Sequence, residues 1–216
     1  MKMDDLEFLD NYLGYYKKNI MTPEAKEGIL EMRRLIARME EEGGKLIFAG
    51  NGASAAIASH CALDFTKQAG VRAVSFNDPS LITAFANDYG YEHWVARAIG
   101  FYAEPRDIVV LISSSGSSPN MVNAASFARD KGLKVITFTG FSPDNPLRQI
   151  GYLNLWVDSK AYNIVECTHL IWLTTVIDLI IGKAEYPVNE TPVFENHQER
   201  QEFLMGYRVE MAPGER

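Results

Sequence analysis

The residues with chemical potential fall in three stretches. The first is LIFAGNGASAAIASHCALD, Leu46–Asp64. Four apolar residues, Leu46 to Ala49, run into Gly50-Asn51-Gly52 and then into the glycine-free, alanine-rich segment Ala53 to Lys67. That order predicts a buried strand, a tight turn and a helix. Such a turn points the free N–H groups of the first helical turn at an anion. Ser54 falls in that turn and adds a hydroxyl, while Asn51 and Gly52 shape it. His60 and Asp64 stand four residues apart on one helix face. They suit metal binding or acid/base work, although the spacing alone favours a plain structural hydrogen bond.

The second stretch is Ser113-Ser114-Ser115-Gly116-Ser117-Ser118-Pro119-Asn120, directly after the buried-strand pattern DIVVLI of Asp107–Ile112. Serines in such a loop often only cap helices. Ser113, Ser114, Ser115 and Ser118, together with Ser54, instead predict a phosphate held by hydroxyls and amides rather than by arginines. The third stretch is the apolar segment Ile164–Ile181, interrupted by Glu166 and His169. A carboxylate there is costly unless paired or ligated, and no Lys or Arg lies within four residues of Glu166. Asp64 and Glu166 are therefore expected to face each other across a pocket, either sharing a metal with His60 or moving protons. Lys67, three residues past Asp64, is a competing partner for that residue. Asp88, in Asn87-Asp88-Tyr89-Gly90, either caps a helix or touches a substrate. His93 and His197 are read as surface residues, and Asp178 as a solvated or interface residue.

The elements that must position these groups alternate along the chain. Leu6, Leu9, Tyr12, Leu13 and Tyr16 predict an amphipathic helix over 3–19. Thr22-Pro23 opens a second, which Gly43-Gly44 ends. Strands follow at Val71–Phe76, Asp107–Ile112, Leu133–Thr139 and Tyr152–Val157. Helices are expected at Leu81–Asn87, Tyr91–Tyr102, Met121–Lys131 and Ile164–Ile181. Strands alternating with helices imply an α/β fold, a parallel sheet covered on both faces with ligand groups at the strand carboxyl ends. The two leading helices precede the first strand, so they pack on a neighbouring subunit or across the sheet. The polar, proline-punctuated stretch from Lys183 reads as an arm with a short helix near Glu195–Met205.

With 216 residues, 47% of them hydrophobic and 23% charged, the chain suits one globular domain with appendages. A net charge of −7 argues against a direct nucleic-acid surface. The absence of 18 consecutive apolar residues argues against a membrane span, and the acidic MKMDDLEFLD start against a signal peptide. Two cysteines in separate segments, Cys61 and Cys167, read as free thiols in a reducing cytoplasm.

GNGAS followed by His60 and Asp64, then Asn87-Asp88-Tyr89-Gly90, then ISSSGSSPN, resemble the sugar isomerase (SIS) domain family in its phosphoheptose-isomerase branch. The resemblance covers residues 1–182 as a single SIS domain with its N-terminal helical pair, and leaves 183–216 as a C-terminal extension. It implies a doubly wound, five-stranded parallel sheet flanked by helices, assembled as a tetramer with active sites between subunits. It implies ketose–aldose isomerisation of a sugar phosphate, such as sedoheptulose 7-phosphate to D-glycero-D-manno-heptose 7-phosphate, in carbohydrate metabolism. By position, Asn51, Gly52, Ser54, Asp88, Ser113, Ser114, Ser115 and Ser118 bind the substrate. Asp64, Glu166 and His169 form the catalytic set, and a zinc ion would sit on His60, Asp64 and Glu166. The chain departs from the family at three places. Asp64 stands where the family has Glu, Glu166 where it has Gln, and Thr174 where it has a proton-transferring His. A non-catalytic relative that binds phosphosugars or scaffolds a protein, for example a replication initiator, is the alternative.

Overall fold

Strict alternation of side chains across buried strands builds two cores, one on each face of a single sheet. The computed structural model describes residues 4–186 and Glu199. In chain order the elements are α1 (Asp5–Lys17), α2 (Pro23–Glu41), β1 (Leu46–Gly50), α3 (Ala53–Lys67), β2 (Ala73–Ser75), α4 (Pro79–Tyr89), α5 (Trp94–Tyr102), β3 (Ile108–Ser113), α6 (Pro119–Asp130), β4 (Lys134–Thr139), α7 (Pro146–Ile150), β5 (Leu153–Trp156) and α8 (Tyr162–Ile181). All five strands are parallel, in the order β2-β1-β3-β4-β5. Leu46 and Phe48 of β1, with Ile108, Val110 and Ile112 of β3, face the core roofed by α2, α3 and α8. Ile47, Ala49, Val109 and Leu111 face the opposite core, against α5 and α6. That is the period-2 placement a doubly covered parallel sheet requires.

The expected α/β architecture with two leading helices is the one observed. Several boundaries differ from the reading of the sequence, among them the start of α5, which falls at Trp94 rather than Tyr91. The β2 strand has only three residues, and at its outer edge the Thr66 hydroxyl accepts from the Ala73 N–H and donates to the Ala73 carbonyl. The α4 helix runs through Asp88 and Tyr89, and Gly90 stops it with a positive φ of 85°. The helix α7 falls in what reads as a polar turn; Asn145 caps it by accepting from the Arg148 N–H. The expected arm after Lys183, its short helix and His197 lie, but for residues 183–186 and Glu199, outside the described residues.

The two leading helices differ. The helix α2 packs on α8 and β5, with Gly28 against Leu155 and with Met32, Leu35 and Ile36 fully enclosed. No residue of α1 is buried, and Leu6, Leu9 and Leu13 are 71%, 64% and 63% exposed. The 20-residue helix α8 has a mean hydropathy of 1.8, which by length and composition alone would suffice for a membrane span. Half of that window is buried inside the protein, where Val165, Trp172, Leu173 and Val176 fill the α2–α3 side of the core. The Trp172 indole N–H also donates to the Ile20 carbonyl between α1 and α2.

Close approach fixes where α3 begins. A Cβ on Gly50 would lie 2.6 Å from the Ser54 backbone, so only glycine lets the first turn of α3 settle on the end of β1. Gly50→Ala is expected to destabilise the protein by about 1–3 kcal/mol, read as a lower midpoint in urea unfolding at an unchanged slope.

Candidate active site

The strand order reverses between β1 and β3: β1 connects onward to β2 on one side, β3 to β4 on the other. At their carboxyl ends, Gly50 is in register with Ile112, so the glycine turn and the serine loop leave the sheet side by side. Open α/β sheets bind ligands in the crevice at such a point.

The glycine turn begins with Asn51 and continues through Gly52, whose φ of 56° and ψ of −125° suit glycine. Ser54 follows in the first turn of α3 and is buried. Asn77 donates its side-chain amide to the Gly50 carbonyl at 2.9 Å and anchors the turn from outside. In the serine loop, the Ser113 hydroxyl accepts from the Gly116 N–H at 3.2 Å, and Ser115 from the Ser117 N–H at 3.2 Å. Ser118 occupies the N-cap position of α6, yet its side chain makes no capping bond. The plain capping role therefore does not use that hydroxyl. The loop carbonyls of Ser114 and Gly116 are bonded by the N–H groups of Gly140 and Leu147, both at 2.9 Å. Gly116 has a φ of 63°, and a Cβ there would overlap the buried Asn145 amide. Asn145 itself donates to Thr139, Gly140 and Ser142. The loop is thus braced from behind by the turn after β4.

Glu166, in the second turn of α8, is half-buried and accepts from the Ser114 hydroxyl at 3.4 Å. That places a carboxylate beside the serine loop. Asp88 lies exposed in the last turn of α4, where its carboxylate accepts from the Asn87 amide at 2.9 Å. The corner that follows touches the site through Tyr91, whose hydroxyl donates to Asn51 Oδ1 at 3.2 Å. Sequence reasoning missed Tyr91, Asn77 and Asn145, and also Asn120, which pairs with Asn51. Neutral side chains carry no charge signature. The visible hint was an asparagine directly after Pro119, within the first turn of α6.

The proton-transfer and metal set is not assembled as expected. His60 and Asp64 do meet, with Nε2 3.3 Å from Oδ2. The Asp64 carboxylate also lies near Asp178 and Tyr186, and its charge opposes the ionisation of both. Asp178 lies twelve residues, or about 18 Å of helix rise, beyond Glu166. Burial, with Asp64 nearby, holds the Asp178 carboxyl above its usual range, although the Tyr186 hydroxyl donates to it at 3.3 Å. Among the described residues no three His, Cys, Asp or Glu side chains could hold a metal ion together. The zinc set His60, Asp64 and Glu166 therefore does not fit within one chain, and no step below runs through a metal. Cys61 beside this pair is a buried thiol pushed up to about 12, mainly by burial and then by Asp64. His93 is exposed, 3.8 Å from Glu92, as a surface residue.

His169, expected in the catalytic set, is enclosed in the core. It has no exposed surface and packs against Phe138 and Trp172. Its Nε2 lies 3.0 Å from the Thr139 carbonyl, which assigns the ring proton to that nitrogen. Burial pushes its pKa down to about 4, against a smaller opposite effect of the Thr139 bond. Thr174 is half-buried and donates back to its own helix, at Leu170 and Ile171.

A family model described as the SIS domain matches residues 11–140. A phosphoheptose isomerase of Thermodesulfovibrio yellowstonii is 38% identical over 148 residues, 66% of this chain and 73% of that protein. One of Burkholderia pseudomallei is 32% identical over 181 residues, 79% of this chain and 91% of that protein. The structure of a phosphoheptose isomerase from Neisseria gonorrhoeae superposes with a TM-score of 0.70 at 26% identity, covering 81% of this chain and 96% of that one.

A histidine kept neutral by burial makes stability depend on pH. Above pH 6.5 neither the folded nor the unfolded chain protonates this ring. Below it the unfolded chain takes a proton that the folded chain refuses, so stability falls as pH drops from 6.5 towards 4. The full effect is roughly 3 kcal/mol. Urea unfolding of His169→Gln across this window is expected to show a shallower loss than the parent; parallel curves would contradict it.

Proposed function

Because the chain belongs to the SIS domain family, we propose that it is a cytoplasmic phosphosugar isomerase that interconverts the ketose and aldose forms of a sugar phosphate. A heptose phosphate is the substrate class that the name of its relatives points to. The observation that carries the reading is the bond from Ser114 to Glu166, a carboxylate beside a serine loop at the switch point of the sheet. Ser54, Ser113, Ser114, Ser115 and Ser118, with the helix N-termini of α3 and α6, hold the phosphate through neutral donors. Asn51 and Gly52 shape the cradle, and Asp88 flanks the sugar. Glu166 takes a proton from C1 of the ketose, and the C2 oxygen carries the charge of the enediolate. The same carboxylate returns the proton to C2 while the hydroxyl proton passes from O1 to O2. Neutral hydrogen-bond donors stabilise that oxyanion, and no redox partner is needed.

One observation favours the alternative, a phosphosugar-binding protein without turnover that scaffolds a partner such as a replication initiator. Thr174 offers no proton-transfer group, and its hydroxyl is already bonded to its own helix. Assays on a panel of ketose and aldose phosphates, sedoheptulose 7-phosphate among them, separate the two. Turnover is expected. Glu166→Gln should lower kcat by at least about a hundredfold while binding phosphate as the parent does. Ser113→Ala with Ser115→Ala should weaken phosphate binding in isothermal titration with little change in melting temperature. Binding without turnover by the parent would establish the scaffold reading, and equal affinity in the serine variants would remove the phosphate assignment.

The exposed leucine face of α1 suits burial against copies of the same chain. A homotetramer is the expected assembly. Light scattering should return about four times the 24.2 kDa monomer mass; a monomer mass would remove it.

A further inference from the structure

The serine loop and the glycine turn are fastened to each other by a pair of side-chain amides. Asn51 donates to Asn120 Oδ1 at 2.9 Å, and Asn120 donates back to Asn51 Oδ1 at 2.8 Å. The same Asn51 oxygen accepts the Tyr91 hydroxyl at 3.2 Å. Asn120 is only 2% exposed, so it sits inside the fold rather than at the mouth of the crevice. Three separate segments therefore meet on one amide: the turn after β1, the first turn of α6, and the corner between α4 and α5 that directly follows the turn carrying Asp88.

The topology explains why a fastening matters here. The turns leave adjacent strands, but α3 then joins the core with α2 and α8 while α6 joins the opposite one. Two helices anchored on opposite faces are free to drift independently, and the distance between their N-termini is the width of any anion site between them. A reciprocal amide pair fixes that width with both donors and both acceptors used. Removing Asn51 strands the buried amide of Asn120, and removing Asn120 frees the half-buried Asn51 amide from the serine-loop side.

We propose that Asn120 is a positioning residue that acts through Asn51, setting the gap between the two phosphate-binding turns, and that the Tyr91 hydroxyl completes this clasp and couples the Asp88 corner to it. This rests on the phosphate assignment made above. A preformed cradle binds without the ordering cost that a loose one carries. Loss of the clasp therefore weakens anion binding without touching a group that contacts the anion.

The test is a double-mutant cycle with two readouts. The first uses no ligand: amide hydrogen exchange across residues 51–54 and 113–118 should accelerate in Asn120→Ala and, less, in Tyr91→Phe. The second titrates inorganic phosphate and sedoheptulose 7-phosphate. Asn120→Ala should raise Kd about tenfold and Tyr91→Phe about two- to threefold. In an Asn51→Ala background both effects should vanish, because the residue they act through is gone. A merely structural role would lower melting temperature and leave the effects additive. Tyr91→Phe removes one hydroxyl from an exposed side chain, so it carries the cycle should Asn120→Ala fail to fold. Exchange at parent rates in these variants, or additive losses in affinity, overturns the clasp. A parent protein that binds neither probe overturns the phosphate reading instead, and the exchange data still decide whether the turns are fastened.

Discussion

The constraint on which the site depends is the handedness of parallel crossovers. A connection from one strand to a parallel neighbour is right-handed, so the direction of travel across the sheet decides which face its helix covers. From β1 the chain moves to β2 by way of α3. It then doubles back past β1 to reach β3, and from there proceeds outward through β4 to β5. Reversal of direction puts α3 on one face and α6 on the other. The carboxyl ends of β1 and β3 are left open between two diverging helices whose N-termini still lie close together. Every polar group assigned to substrate binding, apart from Asp88, issues from one of those two exits.

Holding such an opening at a fixed width takes small residues and amides more than charges. Gly50 allows α3 to begin against the strand end, and Gly116 makes room for Asn145 behind the serine loop. Asn51, Asn77, Asn120 and Asn145 then tie the turns to one another and to the sheet. An amide both donates and accepts, so it can bridge two segments without the desolvation cost of an ion pair. The buried ion pair of Lys45 and Asp107 stands at the other end of the sheet, where it joins the starts of β1 and β3. Charge holds one end of the sheet, and neutral amides the end where the proposed phosphate site lies.

Patterns with strong local causes were legible in the sequence. The strand β1 and the helix α3 were readable because the glycines that separate them also determine the turn, and α3 spans the expected residues 53–67. The serine loop was readable as a strand-to-helix turn because the buried run before it and Pro119 after it mark both of its ends. The helix α7 was not, since five residues offer no periodicity and its capping depends on Asn145 being buried by the rest of the fold. Helical spacing showed that His60 and Asp64 share a face. It could not show which element that face meets, and the answer, the far part of α8 at Asp178, separates Asp64 from Glu166. Residue type could not show the surroundings of His169: an imidazole on an apolar helix reads as chemistry, and the fold packs this ring between Phe138 and Trp172 with one hydrogen bond.

With Asp64 and His169 placed elsewhere, Glu166 is the carboxylate left beside the serine loop, and its position on α8 bears on what it can do. It lies five residues into a 20-residue helix, near its N-terminal rather than its C-terminal end, where a carboxylate avoids the unfavourable pole of the macrodipole. The Ser114 hydroxyl supplies a donor as well. Both offset the repulsion expected between a carboxylate and a nearby phosphate in a chain of net charge −7. Thr174, eight residues further along, lies about 12 Å away by helix rise, too far to exchange a proton with the same carbon. A transfer between C1 and C2 does not require a second base when both carbons present the same face to one carboxylate. The proton taken from one is then returned to the other, and only the exchange between the two neighbouring oxygens remains. That exchange runs over a single pair of adjacent atoms, within reach of a hydroxyl or of solvent. A site with one carboxylate and several neutral donors therefore has the groups that ketose–aldose isomerisation needs.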